Sequence, residues 1–436
     1  MWRVLRRRDF ALVWTGGLIS LAGDWVLFVG LPLYVYDRTG STLATGAMFL
    51  VRLVPQVLLG SVAGVFVDRW DRRRTLVVAN VLLAVALVPM LVGAAAGVLW
   101  PVYLGSLAAS VLQQFVGPAE DALLPRLVDE EQLVPANALN ALNDNLARLG
   151  GPPLGALLYA GAGIGGVVVA DALSFLVAAL LVGLVRADAR PLGDEQADTA
   201  TSSALLATWR DWLAGLRLVR ASRTVAVLLL FAALTGLGEG ALSALFVPFV
   251  RTVLHAQDLA YGGLLAAQAA GGLLGGVVIG RYGRALRPVQ LWGLGALGLA
   301  LIDALIFLYP LALPGVVLAL ALMVAVGVPV AGMRVGLATE RQTAVADAFR
   351  GRLSGAYLAT SALTMAFGTV AAGALGERVG VTPLLMVQVA VYALAGTLVL
   401  LLGASREVTA GPPDLTGRAD AISEERATPA DAGARR

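Results

Sequence analysis

The loop between the second and third long apolar runs reads GVFVDRWDRRR over residues 64–74. The runs on either side are long enough to cross a bilayer as α-helices, which takes about 20 residues. A glycine at a helix end permits close packing, an aspartate accepts hydrogen bonds there, and arginines hold a short loop at the cytoplasmic surface. A merely basic stop signal would not require the glycine and the aspartate at this spacing. The stretch therefore predicts a tight cytoplasmic turn between two membrane-spanning helices.

The composition supports a membrane protein. Apolar residues make up 58% of the chain and charged residues 14%, whereas a soluble domain is about one quarter charged. Apolar runs of membrane-spanning length recur along most of the sequence. We therefore predict an all-α membrane protein with twelve transmembrane helices, near residues 10–34, 42–67, 75–96, 100–120, 133–160, 164–185, 224–250, 260–281, 288–309, 314–335, 353–376 and 382–403.

The distribution of arginines predicts the orientation. Groups of arginines precede the first predicted helix and follow the second, eighth and tenth, Arg126 alone follows the fourth, and more arginines lie in the middle segment. The intervening loops carry few, chiefly Arg38, Arg251 and Arg378. This alternation is the positive-inside pattern, and it predicts a protein of the cell inner (plasma) membrane with both termini in the cytoplasm. Because the positive charges report topology, we expect no nucleic-acid partner.

The two halves of the chain resemble each other. Gly23-Asp24 and Gly238-Glu239 begin similar stretches, and residues 64–69 are matched by residues 276–281. Both matches have nearly the same offset. Two matches in the same order predict a parallel repeat of six plus six helices, which is typical of transporters.

The repeat divides the chain into four regions. We predict an N-terminal six-helix bundle over residues 1–185, a cytoplasmic linker over 186–223, a C-terminal six-helix bundle over 224–405, and a tail over 406–436. The apolar residues of the linker can share one helical face, which favours an interfacial helix. A solvated linker helix is the alternative. The tail has no periodic apolar pattern, so we expect it to be disordered in the cytoplasm.

The opening loop resembles the signature G-x-x-x-D-R-x-x-R-R of the major facilitator superfamily. The matching positions are Gly64, Asp68, Arg69, Arg72 and Arg73. The resemblance implies the major facilitator fold of two six-helix bundles. It also implies that the aspartate engages the start of the eleventh helix and steadies an outward-facing state. The corresponding stretch of the second half has Gly280 where an acid would match. This contact of the aspartate with the eleventh helix, which we call the lock, is therefore expected from the first half only.

A second motif, GGPPLG over residues 150–155, lies within the fifth predicted helix. Through Gly151, Pro152 and Gly155 it resembles the Gly-Pro motif of antiporters in this superfamily, which favours export by antiport. Proline removes a helix donor and glycine permits a bend or a tight crossing. An ordinary kinked packing interface is the alternative.

The chain as a whole resembles the enterobactin-exporter-like and macrolide-efflux-like branch of the superfamily. The second half matches mainly through its helix layout, and substrate identity does not transfer across the branch. The stretches that carry the resemblance are residues 20–25, 52–55, 124–128, 136–139, 145–152 and 172–175.

Charges inside the membrane are costly and usually face a cavity or one another. Asp24 and Glu239 each lie about fifteen residues into their helices, near the middle of the bilayer at about 1.5 Å per residue. Their matched positions predict that both reach a central cavity. Asp303 and Arg52 are also deep by this count, whereas Asp171 is placed nearer the outer end of its helix.

Proton antiport requires a carboxylate that alternates between protonated and ionised states. Burial raises the pKa of a carboxyl group and a nearby arginine lowers it. The candidates for proton coupling are Asp24 first, then Glu239, then Asp303. Fixed pairing of the acids with Arg52 or with another helix is the alternative.

Other polar and aromatic residues are candidates for lining the cavity and contacting substrate. Asp144 and Arg148 are one helical turn apart and can pair. Packing against lipid, or hydrogen bonding between helices, is the alternative for the aromatic and amide residues. The candidates are Trp25, Arg52, Gln113, Asn140, Asn143, Asp144 and Arg148.

The predicted function is secondary active transport by alternating access, in which the two bundles rock around a central site. The resemblance implies proton-coupled efflux of a small amphipathic compound, such as a drug, a macrolide or a siderophore-like molecule. Uptake of a metabolite and lysophospholipid flipping by the same fold are the alternatives.

A membrane-embedded enzyme is a remote alternative. The chain has no cysteine and a single histidine, His255, which excludes thiolate or multi-histidine metal sites. It has no phosphate-binding loop of the ATPase type. We expect no cofactor and no bound metal, a monomer in the lipid bilayer, and the transported compound and protons as partners.

Overall fold

In the computed structural model, residues 2–187, 223–344 and 347–403 are described, and every regular element within these ranges is helical. The predicted amphipathic linker helix and the predicted disordered tail lie outside the described residues. The first bundle consists of six helices that we number α1 to α6. They are α1 (Arg8–Thr39), α2 (Thr42–Arg69), α3 (Arg72–Ala86, continued by Val88–Ala96), α4 (Trp100–Leu127), and α5 and α6, which together form the stretch Leu133–Gly183.

The second bundle has six further helices. A π-helical turn, Phe249–Val253, extends α7. The helices are α7 (Arg223–Pro248), α8 (Asp258–Tyr282), α9 (Pro288–Leu308), α10 (Val317–Ala325, continued by Gly327–Thr343), α11 (Asp347–Val379) and α12 (Val381–Leu402).

The stretch Leu133–Gly183 crosses the bundle twice. A helix of this length would span roughly 77 Å, whereas the hydrocarbon core of a bilayer is about 30 Å thick. It breaks at Gly163, whose φ of 60° and ψ of −166° are not helical. Asn143 before the break donates a hydrogen bond of 2.8 Å to the Trp14 carbonyl oxygen, and Ala178 after it packs against Gly16. Both limbs thus lie beside the same turn of α1.

Twelve membrane helices follow from these bounds. Ten helical segments are long and apolar enough to cross a membrane, and one of them is the doubled segment Glu130–Gly183. The remaining helix, α4, has similar length but carries Gln113 and Gln114 at its centre, which lowers its hydropathy. The predicted all-α membrane fold is confirmed.

The same helix contact occurs in both bundles. In the first, Gly23 of α1 packs against Asp171 and Ser174 of α6. In the second, the matched Gly238 of α7 packs against α12, and a Cβ at that glycine would lie 2.9 Å from Tyr392 Cε2 and 3.1 Å from Gln388 Cγ. In each half, the glycine of the first helix has no side chain, so polar side chains of the last helix can approach its backbone closely.

The two bundles pack tightly at one end, which we call the closed end. It contains the turns at residues 40–41, 163, 254–257 and 380. There the Thr42 hydroxyl of α2 donates a hydrogen bond of 2.6 Å to the Gly373 carbonyl oxygen of α11. Gly262 of α8 packs against the Pro152 carbonyl oxygen of α5.

The opposite end, where α1 begins and α6 and α12 end, we call the terminal end. On the antiparallel helices α2 and α11, Gly46 packs against Thr369 near the closed end. Gly64 and Gly351 lie at one level, eighteen residues further toward the terminal end, and neither has a neighbour within 4 Å of where a Cβ would lie. The bundles therefore separate from each other toward the terminal end.

Candidate functional site

Asp24 faces into the first bundle. Its Oδ2 accepts a hydrogen bond of 3.1 Å from Gln113 Nε2 of α4. Arg52 of α2 lies within electrostatic range but makes no salt bridge with Asp24, because its guanidinium lies over the Phe28 ring, 5.6 Å from the centroid. In this conformation Asp24 borders a cavity within the first bundle, whereas the prediction was that Asp24 and Glu239 both reach a central cavity. The predicted alternative of a fixed Asp24–Arg52 pair is also not found.

Asp171 lies at the level of Asp24 and, as predicted, nearer the start of α6 at Gly163 than its end at Gly183. α6 begins at the break at Gly163. The packing of Gly23 on α6 places Asp171 beside Asp24 along the helix axis. Asp171 is fully buried, and its Oδ1 accepts a hydrogen bond of 3.3 Å from the Ser174 hydroxyl. The Asp24 and Asp171 carboxylates are in electrostatic range of each other. Sequence reasoning missed this pairing.

The two carboxylates border an internal cavity of about 30 Å³. The cavity lies among α1, α2, α3, α4 and α6. Since a water molecule needs roughly 10–15 Å³ of such space, about two waters fit. The residues that line it are Asp24, Leu27, Leu31, Arg52, Leu83, Met90, Ser106, Ala109, Ser110, Gln113, Asp171 and Phe175.

The second bundle holds two further acidic groups. Glu239 is exposed, and its Oε2 accepts a hydrogen bond of 3.0 Å from the Tyr392 hydroxyl. Asp303 is buried and accepts a hydrogen bond of 3.0 Å from Gln388 Nε2. Gln388 and Tyr392 were not among the predicted site residues. The signal that could have found them is the repeat, because they lie on α12 where Asp171 and Phe175 lie on α6.

Aromatic rings and two arginines of the first bundle contact one another and form what we call the aromatic wall: Trp25, Phe28, Phe49, Arg52 and Arg148. The Trp25 and Phe28 rings meet edge to face at 5.1 Å, and those of Phe28 and Phe49 at 5.8 Å. The Arg148 guanidinium lies 6.0 Å from the Trp25 ring centroid. Such rings offer flat apolar surface for stacking, and arginine adds a cation–π contact.

Arg148 joins this wall to the second bundle. Its Nη2 donates a hydrogen bond of 3.2 Å to Gln268 Oε1 of α8. Glu239 and Arg334 lie within electrostatic range of it. Arg148 does not pair with Asp144, because it points toward α8 while Asp144 lines a separate cavity.

That separate cavity has a volume of about 220 Å³ and lies among α1, α4 and α5 toward the terminal end. Asn140, Asn143 and Asp144 line it together with Glu120 and Asp121. These predicted cavity residues therefore do not join the aromatic wall.

The loop motif is only partly visible, because the structure does not describe the side chain of Asp68. Asp71 caps α3 by accepting a hydrogen bond of 2.9 Å from the Arg74 backbone N–H. Arg73 donates a hydrogen bond to the Gly183 carbonyl oxygen at the end of α6. Gly64 faces open space, so the close packing expected of it does not occur in this conformation.

The Gly-Pro motif packs α5 against α1 and α8. A Cβ at Gly155 would lie 2.7 Å from the Val26 carbonyl oxygen, and one at Gly151 would collide with Trp25. The Pro152 carbonyl oxygen is covered by Gly262 of the second bundle. The motif thus lies where the two bundles meet.

A polar cluster spans the bundles at the closed end. Arg251 of α7 donates a hydrogen bond of 2.8 Å to Asp37 Oδ2 of α1, and it also pairs with Asp258 of α8. Tyr159 of α5 donates to the same Asp37 oxygen at 2.9 Å. Sequence reasoning missed this cluster because its members are far apart in the chain.

The chain resembles known transport proteins in sequence. It matches the major facilitator family described as transmembrane secretion effector over residues 1–413. It is 25% identical to macrolide efflux protein A of Streptococcus pyogenes over 284 residues, 65% of this chain and 68% of that protein. It is 34% identical over 308 residues to an uncharacterised major facilitator transporter of Mycobacterium tuberculosis, which covers 65% of this chain and 68% of that protein.

The fold is also shared with solved transporters. A bacterial homologue of the iron transporter ferroportin in an inward-facing state superposes with a TM-score of 0.69, at 18% identity, over 91% of this chain and 99% of that one. A structure of a bacterial ferroportin homologue in an outward-facing state superposes with a TM-score of 0.53, at 20% identity, over 91% of this chain and 100% of that one. The chain therefore belongs to the transmembrane secretion effector family and is a membrane transporter of the major facilitator superfamily.

Proposed function

We propose that the protein exports small amphipathic organic compounds by alternating access, driven by the entry of protons. The observation that carries this proposal is the aromatic wall, which Arg148 joins to Gln268 of the second bundle. A compound with an apolar ring system stacks on Trp25, Phe28 and Phe49. The exposed Glu239 on the opposite bundle, with Arg52 and Arg148, orients its polar groups.

The positive-inside pattern supports the direction of opening. With both termini in the cytoplasm, the terminal end is the cytoplasmic end, and the conformation described above is inward-facing. A compound in the cytoplasm or inner leaflet then reaches the aromatic wall directly. Export requires the closed end to open, which breaks the contacts of Arg251 with Asp37 and of Thr42 with Gly373.

The loop motif acts in the opposite state. When the terminal end closes, α2 and α11 approach, and Gly64 and Gly351 supply the space for close contact. Asp68, with Arg69, Arg72 and Arg73, then stabilises the outward-facing state at the start of α11, as the family resemblance implies. α6 ends at Gly183 and α7 begins at Arg223 on the same side.

Arg52 provides a physical link between substrate and proton. Its guanidinium lies over Phe28 in the aromatic wall, yet it is in electrostatic range of Asp24. A substrate that displaces Arg52 from the ring changes the field at Asp24 and therefore its affinity for a proton. Asp24 is the proposed proton carrier, and Glu239 and Asp303 are second candidates in the other bundle.

The proposed substrate class is supported by the relative named macrolide efflux protein A. A macrolide is amphipathic and large enough to cover several rings of the wall. A monomer is sufficient for this mechanism, since both halves of the site come from one chain.

Proteoliposomes test the role of Asp24. The Asp24→Asn variant should bind a macrolide and exchange it across the membrane, but should not accumulate it in response to a pH gradient. The matched control is Glu131→Gln, which removes an exposed carboxylate at the terminal end and should transport normally. Undiminished proton-driven transport by Asp24→Asn would contradict the proposal.

A further inference from the structure

We propose that Asp24 and Asp171 form a single-proton site, in which the two carboxylates share one proton through water held in the 30 Å³ cavity. The inference rests on the proposed proton coupling and adds a second acidic residue to it. Asp171 is then a proton-binding residue and not only a packing contact between α1 and α6.

Unpartnered oxygens are the first observation that points to this site. Three of the buried side-chain oxygens that lack a hydrogen-bond partner belong to residues at this cavity: Asp171 Oδ2, Ser106 Oγ and Gln113 Oε1. All three side chains line the same cavity. Asp171 is 0% exposed and Ser106 is 3% exposed. Buried polar atoms are normally satisfied by protein or water, so these oxygens are arranged to hold a bridging water.

Charge balance is the second observation. The charged groups that face the cavity are Asp24 from α1, Arg52 from α2 and Asp171 from α6. The facing residues of α3 and α4 are uncharged, and Glu120 further along α4 is the next acid in range of Asp24. With both carboxylates ionised, the site has one excess negative charge in a region of low dielectric. One proton neutralises it.

The chemistry of the site favours a proton over a metal ion. Arg52 places a positive charge at the cavity edge, which repels a divalent cation. In the parts of the chain that the structure describes, no cluster of three His, Cys, Asp or Glu residues is arranged to hold a metal ion. The transfer is a simple protonation: a hydronium ion gives its proton to one carboxylate oxygen and becomes water, with no change of oxidation state.

The proposal predicts how many protons the site binds when a substitution changes its net charge. Asp171→Asn leaves Asp24 and Arg52 as a neutral pair, so the site should bind no proton. Asp24→Asn leaves Asp171 and Arg52 and should have the same effect. The double variant Asp171→Asn/Arg52→Gln has one excess negative charge again and should regain one proton.

The measurement is infrared difference spectroscopy of the purified full-length protein in lipid nanodiscs as the pH is raised. The carboxylic acid C=O band of the site should be present in the wild type, absent in both single variants and restored in the double variant. Glu131→Gln should retain the band. Retention of the whole band in Asp171→Asn, or failure of the folded double variant to regain it, would overturn the shared site. So would displacement of the proton by sodium ions at constant pH.

The same preparation separates this inference from the proposed function. If protons drive transport but Asp171→Asn transports normally, the shared site is wrong and the proposed function stands. If the bands behave as predicted but a pH gradient drives no transport, the site binds a proton and the proposed function fails.

Discussion

Replacing Arg251 tests whether the polar cluster holds the closed end together. Arg251 belongs to the second bundle and Asp37 to the first, and their charged atoms are 2.8 Å apart. The partner that Arg251 shares within its own bundle is Asp258. Arg251→Gln should therefore weaken the contact between bundles, whereas Asp258→Asn should leave the bond to Asp37 in place.

The expected size of the effect follows from the solvent exposure of the Arg251 and Asp37 side chains. The Arg251 side chain is 20% exposed and that of Asp37 is 35% exposed, so solvent screens the pair substantially. An ion pair of this kind contributes about 1 kcal/mol, which is about a fivefold change in an equilibrium constant. The hydrogen bond from Thr42 to Gly373 remains, so the closed end should still be the major state.

Cysteine labelling can measure this shift, because the chain has no cysteine of its own. Thr369 is 1% exposed and packs against Gly46 at the closed end, so Thr369→Cys reacts with a water-soluble maleimide only when that end opens. Adding Arg251→Gln should raise the labelling rate about fivefold, and adding Asp258→Asn should raise it much less. Val134→Cys, at an 80% exposed position, controls for reagent and protein quality.

A thermodynamic cycle completes the test. Asp37→Asn should accelerate labelling by itself but add little in the presence of Arg251→Gln, because both changes remove one interaction. If Arg251→Gln labels no faster than its parent, or if the two changes are fully additive, the pair does not hold the closed end.

Three further predictions concern packing, substrate contact and the loop motif. Gly155→Ala should lower the melting temperature, because the added Cβ would lie 2.7 Å from a carbonyl oxygen of α1 and overpacking costs about 1–3 kcal/mol. The control, Gly150→Ala, adds a methyl group in open space and should leave the melting temperature unchanged. Equal melting temperatures for the two variants would contradict the packing. Trp25→Ala should weaken macrolide binding in a fluorescence titration while Trp100→Ala, 66% exposed at the start of α4, should not; equal affinities would remove Trp25 from the site. Asp68→Asn should increase maleimide labelling of a cysteine on the terminal part of α11, and unchanged labelling would count against the lock.

Much of the fold could be predicted because hydropathy and arginine placement act locally. Apolar runs must be helical in a bilayer, so the twelve helices follow from the sequence. The second bundle could be matched to the first because Gly23 and Gly238 recur at corresponding positions, and both turn out to be helix contacts.

The site could be predicted only in part, because the direction of a side chain depends on the rotation of its helix. Asp24 lies near the middle of α1, but the packing of Gly23 on α6 turns it into the first bundle. Asp171 lies nearer the start of α6, as predicted, but hydropathy could not show that its carboxylate comes within electrostatic range of Asp24. Asp144 and Arg148 have suitable spacing for pairing, yet each faces a different neighbour.

The central claim is proton-driven export, and transport polarity tests it most directly. The purified protein is reconstituted in one orientation, with its termini outside the vesicle, and uptake of a labelled macrolide is measured with a pH gradient of either sign. We predict accumulation inside the vesicle only when its interior is more acidic than the medium, so that protons leave as the compound enters. Accumulation with the opposite gradient, or equal transport with both, would contradict proton-coupled export.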